Sequence, residues 1–147
     1  MTDQPKQAIL PGITHCMEWT VANPHLASTW GSGLADVLAT PVLVGFCEEA
    51  ARQSVDPLLS PGQQTVGTKV VIDHLAATPL NMKVYVRSTL TEIDGRRLVF
   101  SIEARDEQEL VARCEHHRFI IDGDRFADRI SQKSHSKERS AAPTESP

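Results

Sequence analysis

The sequence predicts an α+β fold in which one long helix packs against an antiparallel β-sheet. Three observations support this. Apolar residues follow a spacing of three and four between Thr40 and Val55, which indicates a helix. Four strand-like runs follow it, and the pair Asp94-Gly95 between two of them is typical of a β-hairpin. With one helix and one sheet to bury, we expect the helix to lie in the concave face of the sheet.

The chain before the helix predicts a strand and then an irregular segment. Over residues 13–21, apolar or aromatic side chains recur at alternate positions and would share one face of a strand: Ile13, His15, Met17, Trp19 and Val21. Residues 23–38 mix Pro24 and several glycines with scattered apolar residues, which favours a loop or a short helical excursion. Such a segment can act as a lid.

The central helix has clear start and stop signals. Thr40-Pro41 is read as an N-cap hydroxyl followed by proline at the first helical position, and Asp56-Pro57 ends the helix. Its predicted apolar face consists mainly of small residues: Leu43, Phe46, Cys47, Ala50, Ala51 and Ser54. Gly45 within the helix costs about 1 kcal/mol relative to alanine, and we expect a close backbone approach to explain it.

Four strands are predicted after the helix, at about 64–75, 82–93, 97–105 and 110–121. In the last strand, Cys114, His116 and Arg118 share one face, and Glu115 and His117 share the other. Because Arg118 would repel a cation beside the first set, we predict no metal site there. A single sheet layer leaves a face or an edge open, which favours a homodimer.

Composition limits the class of protein. The 147 residues carry 15 Lys+Arg and 19 Asp+Glu, a net charge of −4, so no basic field favours nucleic acid. The apolar runs are too short to span a membrane. The three cysteines, Cys16, Cys47 and Cys114, form no CxxC motif, which favours buried thiols in a reducing compartment, and the N-terminus lacks a signal-peptide pattern. We therefore expect a cytoplasmic protein.

The domain boundaries follow from the same composition. We predict a flexible N-terminus at 1–12, one folded domain at 13–130, and a disordered polar tail at 131–147, where no apolar residue is larger than alanine.

Three polar residues in apolar surroundings are candidates for chemistry. Glu48 lies in the middle of the central helix, where a partly desolvated carboxylate would suit a general base or nucleophile; the alternative is that Glu48 and Glu49 both face solvent. His74 ends a strand, as a catalytic or an ordinary surface histidine would. Thr40 lies about 12 Å from Glu48 along one helix, too far to act on the same atom unless substrate spans them or two subunits contribute.

Four segments resemble the fluoroacetyl-CoA thioesterase family of hotdog-fold enzymes over roughly residues 13–130. They are ATPVLVGFCE at 39–48, GTKVVIDHLAATP at 67–79, EIDGRRL at 92–98 and HHR at 116–118. The resemblance implies a hotdog fold, with a long helix wrapped by about five antiparallel strands, and a homodimer with active sites near the subunit interface. Matched position by position, it implies catalytic roles for Thr40, Glu48 and His74, and substrate-binding roles for Gly67 and Arg118.

The implied activity is hydrolysis of an acyl-CoA thioester without a metal or redox cofactor. Glu48 would attack the thioester carbonyl or activate water, His74 would transfer protons, and Thr40 would orient Glu48 or donate to the reacting group. The fluoroacetyl-specific enzyme of the family covers its acyl pocket with phenylalanines, where this chain has Gly31 and Leu34. We therefore expect a more open pocket, partly formed by Leu34, that accepts a short or medium acyl group.

Two alternatives remain from the sequence. The first is a non-catalytic hotdog protein that binds an acyl-CoA or another small hydrophobic ligand. The second is a hotdog hydratase or dehydratase, which would act on an acyl thioester without releasing a thiol.

Overall fold

A computed structural model describes residues 8–140 of the chain. Its strands are β1 (Thr14–Thr20), β2 (Gln63–His74), β3 (Lys83–Asp94), β4 (Arg97–Asp106) and β5 (Leu110–Asp122). Its α-helices are α1 (Ala27–Trp30), α2 (Thr40–Val55) and α3 (Gly123–Ser140), with short 3-10 turns at Asn23–His25 and Asp56–Leu58. The strands form one antiparallel sheet in the order β1-β3-β4-β5-β2. The predicted α+β architecture, the central helix and the five strands are confirmed.

The core lies between α2 and the concave face of the sheet. All six residues of the predicted apolar face of α2 are buried. Phe46 stacks on Trp19 of β1 with ring centroids 4.2 Å apart, and His25 meets the same ring edge-on. The small residues Ala50 and Ala51 are fully buried, so the sheet approaches the helix closely along its second half.

The hairpin between β3 and β4 forms as predicted, with its turn one residue further along. Asp94 still belongs to β3 and pairs with Arg97, so the two turn residues are Gly95 and Arg96. Gly95 has φ 60°, the left-handed conformation that this kind of tight turn requires.

β2 lies at one edge of the sheet, next to β5, and carries a bulge. The pairing runs from Gln63 opposite Asp122 to His74 opposite Ala112, and its register shifts between Gly67 and Lys69. Thr68 is the extra residue, and its hydroxyl donates a hydrogen bond to the His117 carbonyl at 3.2 Å. Bulges bend an edge strand and re-aim its side chains.

Two predictions about small residues are wrong. A Cβ on Gly45 would meet no atom within 4 Å, so close backbone approach inside this chain does not explain that glycine. Cys16 is exposed, because it lies on the outer face of an edge strand, whereas Cys47 and Cys114 are buried as expected. A hydrogen bond with Cys114, together with burial, raises the pKa of the Cys47 thiol, so this thiol stays protonated.

The C-terminal prediction is also wrong where the structure describes it. Residues 131–140, expected to be disordered, form the second half of α3. Half of the residues there are good helix formers, and the other half are serine or histidine, so the local signal for a helix is weak. The apolar pair Phe126 and Ile130, four residues apart at the start of α3, is a short signal beside a long polar stretch.

The two ends of the chain are only partly described. Residues 141–147 of the predicted tail and 1–7 of the predicted N-terminus lie outside the described residues. Within the remainder of the predicted N-terminus, Ile9 packs against the core and the Gly12 amide donates to the Leu90 carbonyl at 2.7 Å. Among the helices of residues 8–140, none is long and apolar enough to cross a membrane.

Candidate active site

Two predicted residues meet where the start of α2 faces the end of β2. The Thr40 hydroxyl lies 2.8 Å from Nδ1 of His74, a hydrogen-bond distance. Thr40 is the first residue of α2 and Ala39 is the N-cap, with no side-chain capping bond, so the predicted capping role of Thr40 is wrong. The hydroxyl bonds to His74 instead of to the first backbone amides of α2. The local Thr-Pro pattern could not indicate this, because it carries no information about His74.

His74 is placed to exchange protons. Burial lowers the pKa of its imidazole, so the ring is neutral near pH 7. A hydrogen bond with the Ala76 backbone raises this pKa and offsets part of the effect of burial. The Nε2 atom itself is buried, and no side chain of the described residues pairs with it. A shallow groove of about 230 Å³ lies beside it, lined by Val37, His74 and the segment Leu75, Ala76 and Ala77. A neutral ring beside a groove, with one nitrogen that pairs with no side chain, can accept or deliver a proton there.

Glu48 belongs to a second group, in the middle of α2. Its Oε2 lies 3.8 Å from Nη1 of Arg118, and its side chain is 41% exposed against 6% for the arginine. The neighbouring Glu49 bonds instead to Gln53, one turn along its own helix, at 3.1 Å. The alternative in which both glutamates merely face solvent therefore fails for Glu48, which forms an ion pair with a buried guanidinium.

Gly67 of β2 lies directly against the carboxylate of Glu48. A Cβ at this position would lie 2.8 Å from Glu48 Oε2 and 3.2 Å from His116 Cε1, both closer than ordinary van der Waals contact. It would also lie 3.4 Å from Nη1 of Arg118. Gly67 is thus required by close approach, and it lets the carboxylate, the guanidinium and the edge strand meet at one point.

Arg118 is held by residues that the sequence did not single out for this role. Its Nε donates to Thr65 Oγ1 at 2.8 Å and its Nη2 to the Thr65 carbonyl at 2.9 Å. Its Nη1 lies 3.1 Å from Nε2 of His116. The alternation of Cys114, His116 and Arg118 along β5 was the available signal, since it places all three on the inner face.

Leu34 does not line the groove beside His74 in this single chain. Leu34 is 98% exposed, in the irregular segment between α1 and α2. Gly31 ends α1 with φ 80°, a left-handed conformation in which a phenylalanine would be strained. The left-handed backbone at position 31 therefore explains why glycine rather than an aromatic residue stands there. The role of Leu34 at the acyl pocket stays a prediction.

The functional side chains of one chain form two clusters, which we call the threonine–histidine pair (Thr40 and His74) and the glutamate–arginine cluster (Glu48, Gly67, Arg118 and their anchors). They lie about two turns, or about 12 Å, apart along α2. Within residues 8–140, no three His, Cys, Asp or Glu side chains converge in a way that could hold a metal ion.

Comparisons of the sequence with known proteins identify the family of the chain. Residues 21–124 match the profile of the fluoroacetyl-CoA-specific thioesterase family. Over 99 residues the chain is 33% identical to the fluoroacetyl-CoA thioesterase of Streptantibioticus cattleyicolor, which covers 67% of this chain and 71% of that protein.

Solved structures agree. A mutant of the fluoroacetyl-CoA-specific thioesterase is 27% identical and superimposes with a TM-score of 0.81 over 87% of this chain and 99% of that one. The same mutant was also solved in complex with fluoroacetate and CoA. A hot-dog-like protein of Thermanaerovibrio acidaminovorans, 22% identical, has the same fold with a TM-score of 0.78 over 84% and 91% of the two chains. The chain belongs to the fluoroacetyl-CoA-specific thioesterase family, and it is a thioester hydrolase with the hotdog fold.

Proposed function

We propose that this protein hydrolyses a short or medium acyl-CoA thioester to a free acid and CoA, using Thr40, Glu48 and His74. The observation that carries the proposal is the glutamate–arginine cluster, in which Glu48 meets a buried guanidinium directly against Gly67. A carboxylate held this way at the edge of the fold is suited to attack or to activate water at a carbonyl. Family membership identifies that carbonyl as a thioester.

The proposed chemistry consumes one water. The oxygen that attacks the carbonyl carbon comes from Glu48 itself, whose acyl anhydride water then cleaves, or from a water that Glu48 deprotonates. In both routes the carbon–sulfur bond breaks and the CoA sulfur leaves as a thiolate. The consumed water supplies the proton that the thiol finally carries, and its other proton is released from the free acid. His74 would take up the first of these protons at Nε2 and pass it to the sulfur, while Thr40 fixes the ring through Nδ1 rather than orienting Glu48 as the sequence suggested. The route uses no cofactor.

Arg118 would contribute electrostatically. Its charge lies beside Glu48, so it holds the carboxylate in place and can stabilise negative charge that develops on the substrate oxygen or a CoA phosphate.

A homodimer resolves the separation between the two clusters. Pairing two copies of β2 edge to edge in antiparallel fashion would bring His74 of one chain opposite the bulge at Gly67 of its partner. The two-fold axis would then pass near Val71, which lies halfway between those residues when the extra bulge residue Thr68 is left out of the count. Each active site would combine the threonine–histidine pair of one subunit with the glutamate–arginine cluster of the other.

The acyl group is proposed from the rim of the site. The groove beside His74 is lined by aliphatic side chains, and the fully exposed Leu34 replaces an aromatic cover. The mutant relative solved with fluoroacetate and CoA binds a two-carbon acid beside CoA, which supports a short acyl group as the starting point. A more open rim would extend this range to longer acyl chains. We also propose that the enzyme acts as a dimer in the cytoplasm.

The decisive experiment measures thiol release from acyl-CoAs of increasing chain length, with matched variants. Glu48→Gln and His74→Ala should lower kcat by about 100-fold or more, because each removes a group that acts in the transition state. Glu49→Gln is the control, since Glu49 bonds only within its helix, and it should keep full activity.

Three other outcomes would contradict the proposal. Ligand-induced thermal stabilisation without any thiol release would indicate a binding protein. Conversion of the acyl group without thiol release would indicate a hydratase. Equal activity of the Glu48→Gln and Glu49→Gln variants would remove Glu48 from the mechanism.

A further inference from the structure

His116 is a buried titratable group that the proposed mechanism does not use. It has no exposed surface, and Arg118 and Thr65 beside it are also buried. Three polar side chains in one buried cluster are costly unless every atom is satisfied. Their hydrogen bonds therefore define their protonation and orientation.

The partners of His116 determine its tautomer. Its Nδ1 lies 2.8 Å from the Lys69 carbonyl oxygen, which can only accept, so Nδ1 carries the hydrogen. Its Nε2 lies 3.1 Å from Nη1 of Arg118, a guanidinium nitrogen that can only donate, so Nε2 is the unprotonated acceptor. A second proton would set two donors and two positive charges against each other. The ring is thus neutral, with one tautomer.

The contacts connect the bulge of β2 to the charge that faces Glu48. Lys69 follows directly after the bulge residue Thr68, so the bond from His116 fixes the bulge to β5. On its other side, His116 accepts from the same Nη1 atom that lies 3.8 Å from Glu48. Thr65 takes the remaining Nε and Nη2 donors. Three of the five guanidinium N–H groups are used in this way, which gives the guanidinium one orientation. The second N–H of Nη1, the atom that lies 3.8 Å from Glu48, remains for the active site.

We propose that His116 is a positioning residue, whose neutral, Nδ1-protonated ring fixes the Arg118 guanidinium opposite Glu48, and that Thr65 completes this anchor. The effect that we expect this anchor to have on catalysis rests on the proposed thioesterase function. Two amide substitutions separate the two bonds. His116→Gln can place its amide oxygen where Nε2 accepts from Arg118, and His116→Asn can place its amide nitrogen where Nδ1 donates to Lys69.

The kinetic test compares these variants with a control from the same layer. His116→Asn should lower kcat by about 10- to 100-fold, the loss expected when a charged group loses a buried hydrogen bond, with KM nearly unchanged, whereas His116→Gln should keep most of kcat. Thr65→Val should behave like His116→Asn and Thr65→Ser should restore activity. The control is Phe100→Leu, which removes a buried ring whose centroid lies 6.3 Å from that of His116 but breaks none of the hydrogen bonds. It should lower Tm and leave kcat unchanged.

A double-mutant cycle tests whether the effect passes through Arg118. Arg118→Lys keeps the charge but loses the planar fork, so adding His116→Asn to it should change kcat less than about twofold. An equal loss in both backgrounds would overturn the proposal, as would wild-type kcat in His116→Asn.

Nitrogen-15 NMR of the histidine rings, assigned with His116→Gln, gives a readout without activity. We expect a neutral ring protonated at Nδ1 at neutral pH, and an Nε2-protonated or charged ring would overturn the proposal. If the wild-type chain released no thiol from any acyl-CoA, the proposed function would fail, and the anchor would still be decided by this spectrum.

Discussion

Gly67 is the residue whose missing side chain most directly shapes the candidate site. The nearest atom to its absent Cβ is the end of the flexible Glu48 side chain, at 2.8 Å. A methyl group there displaces the carboxylate proposed to react, which can rotate away, and it also requires a shift of a few tenths of an ångström at the His116 ring, 3.2 Å away. The flexible carboxylate takes up the larger movement, so we expect a larger loss of activity than of folding free energy. Function and stability therefore separate at this position.

We predict that Gly67→Ala lowers kcat by about 10-fold or more, because a displacement of about 1 Å at a reacting group is enough to cause such a loss. Its Tm should stay within a few degrees of wild type. Thiol-release kinetics and thermal unfolding of the same sample check both parts. Wild-type kcat in Gly67→Ala would contradict this prediction. A drop in Tm large enough to account for the lost activity would show that the glycine serves folding alone.

At the scale of elements, the edge strand β2 links the two clusters. It carries Thr65 and Gly67 near its start and His74 at its end, and its exposed edge spans 12 residues. Long unpaired edges in natural proteins are usually covered or interrupted. The outward-facing Val71 near the middle of the strand is 51% exposed, so a substitution there tests pairing without disturbing the core.

We predict that Val71→Lys makes the protein monomeric, by breaking the proposed dimer, and removes most activity. Lysines directly opposite each other at a two-fold axis repel, whereas within one chain the new lysine would face Glu115 across β2 and β5 and be tolerated. Sedimentation velocity and far-UV circular dichroism distinguish dissociation from unfolding. The control is Val71→Thr, which should remain dimeric. A folded Val71→Lys dimer with full activity would refute the proposed pairing.

The elements themselves were largely predictable from the sequence, because their signals are local. The helix from Thr40 to Val55 begins and ends as its proline signals indicate, and the Asp-Gly hairpin forms within one residue of its expected position. The role of the Thr40 hydroxyl was not predictable from local pattern, since its partner His74 is 34 residues away. The Thr65 and His116 anchors were missed for the same reason: only the sheet register brings them to Arg118.

At the scale of the whole molecule, the half-buried His74 and the buried His116 link folding to pH. Burial lowers the pKa of His74 and of His116, and the Arg118 charge lowers that of His116 further, while its bond to the Lys69 carbonyl and the Glu48 charge act in the opposite direction. Both rings have ordinary pKa values near 6.5 in the unfolded chain. Below that pH the unfolded chain binds more protons than the folded one, so stability falls as the pH falls.

We predict that the free energy of unfolding is nearly independent of these two rings above about pH 7 and decreases below about pH 6.5, by up to about 1.4 kcal/mol per pH unit for each histidine. Urea unfolding at several pH values measures this. The double variant His74→Asn, His116→Gln should show a shallower decrease. An identical slope in the double variant would show that other groups cause the acid sensitivity.

The central claim is that each active site combines the threonine–histidine pair of one subunit with the glutamate–arginine cluster of the other. Refolding an equal mixture of His74→Ala and Glu48→Gln chains tests it most directly, since only a mixed dimer can contain one site with both groups intact. With random pairing, the account predicts that two inactive proteins regain about a quarter of wild-type thiol-release activity. A mixture whose subunits have demonstrably exchanged, but which stays as inactive as its parents, would contradict it.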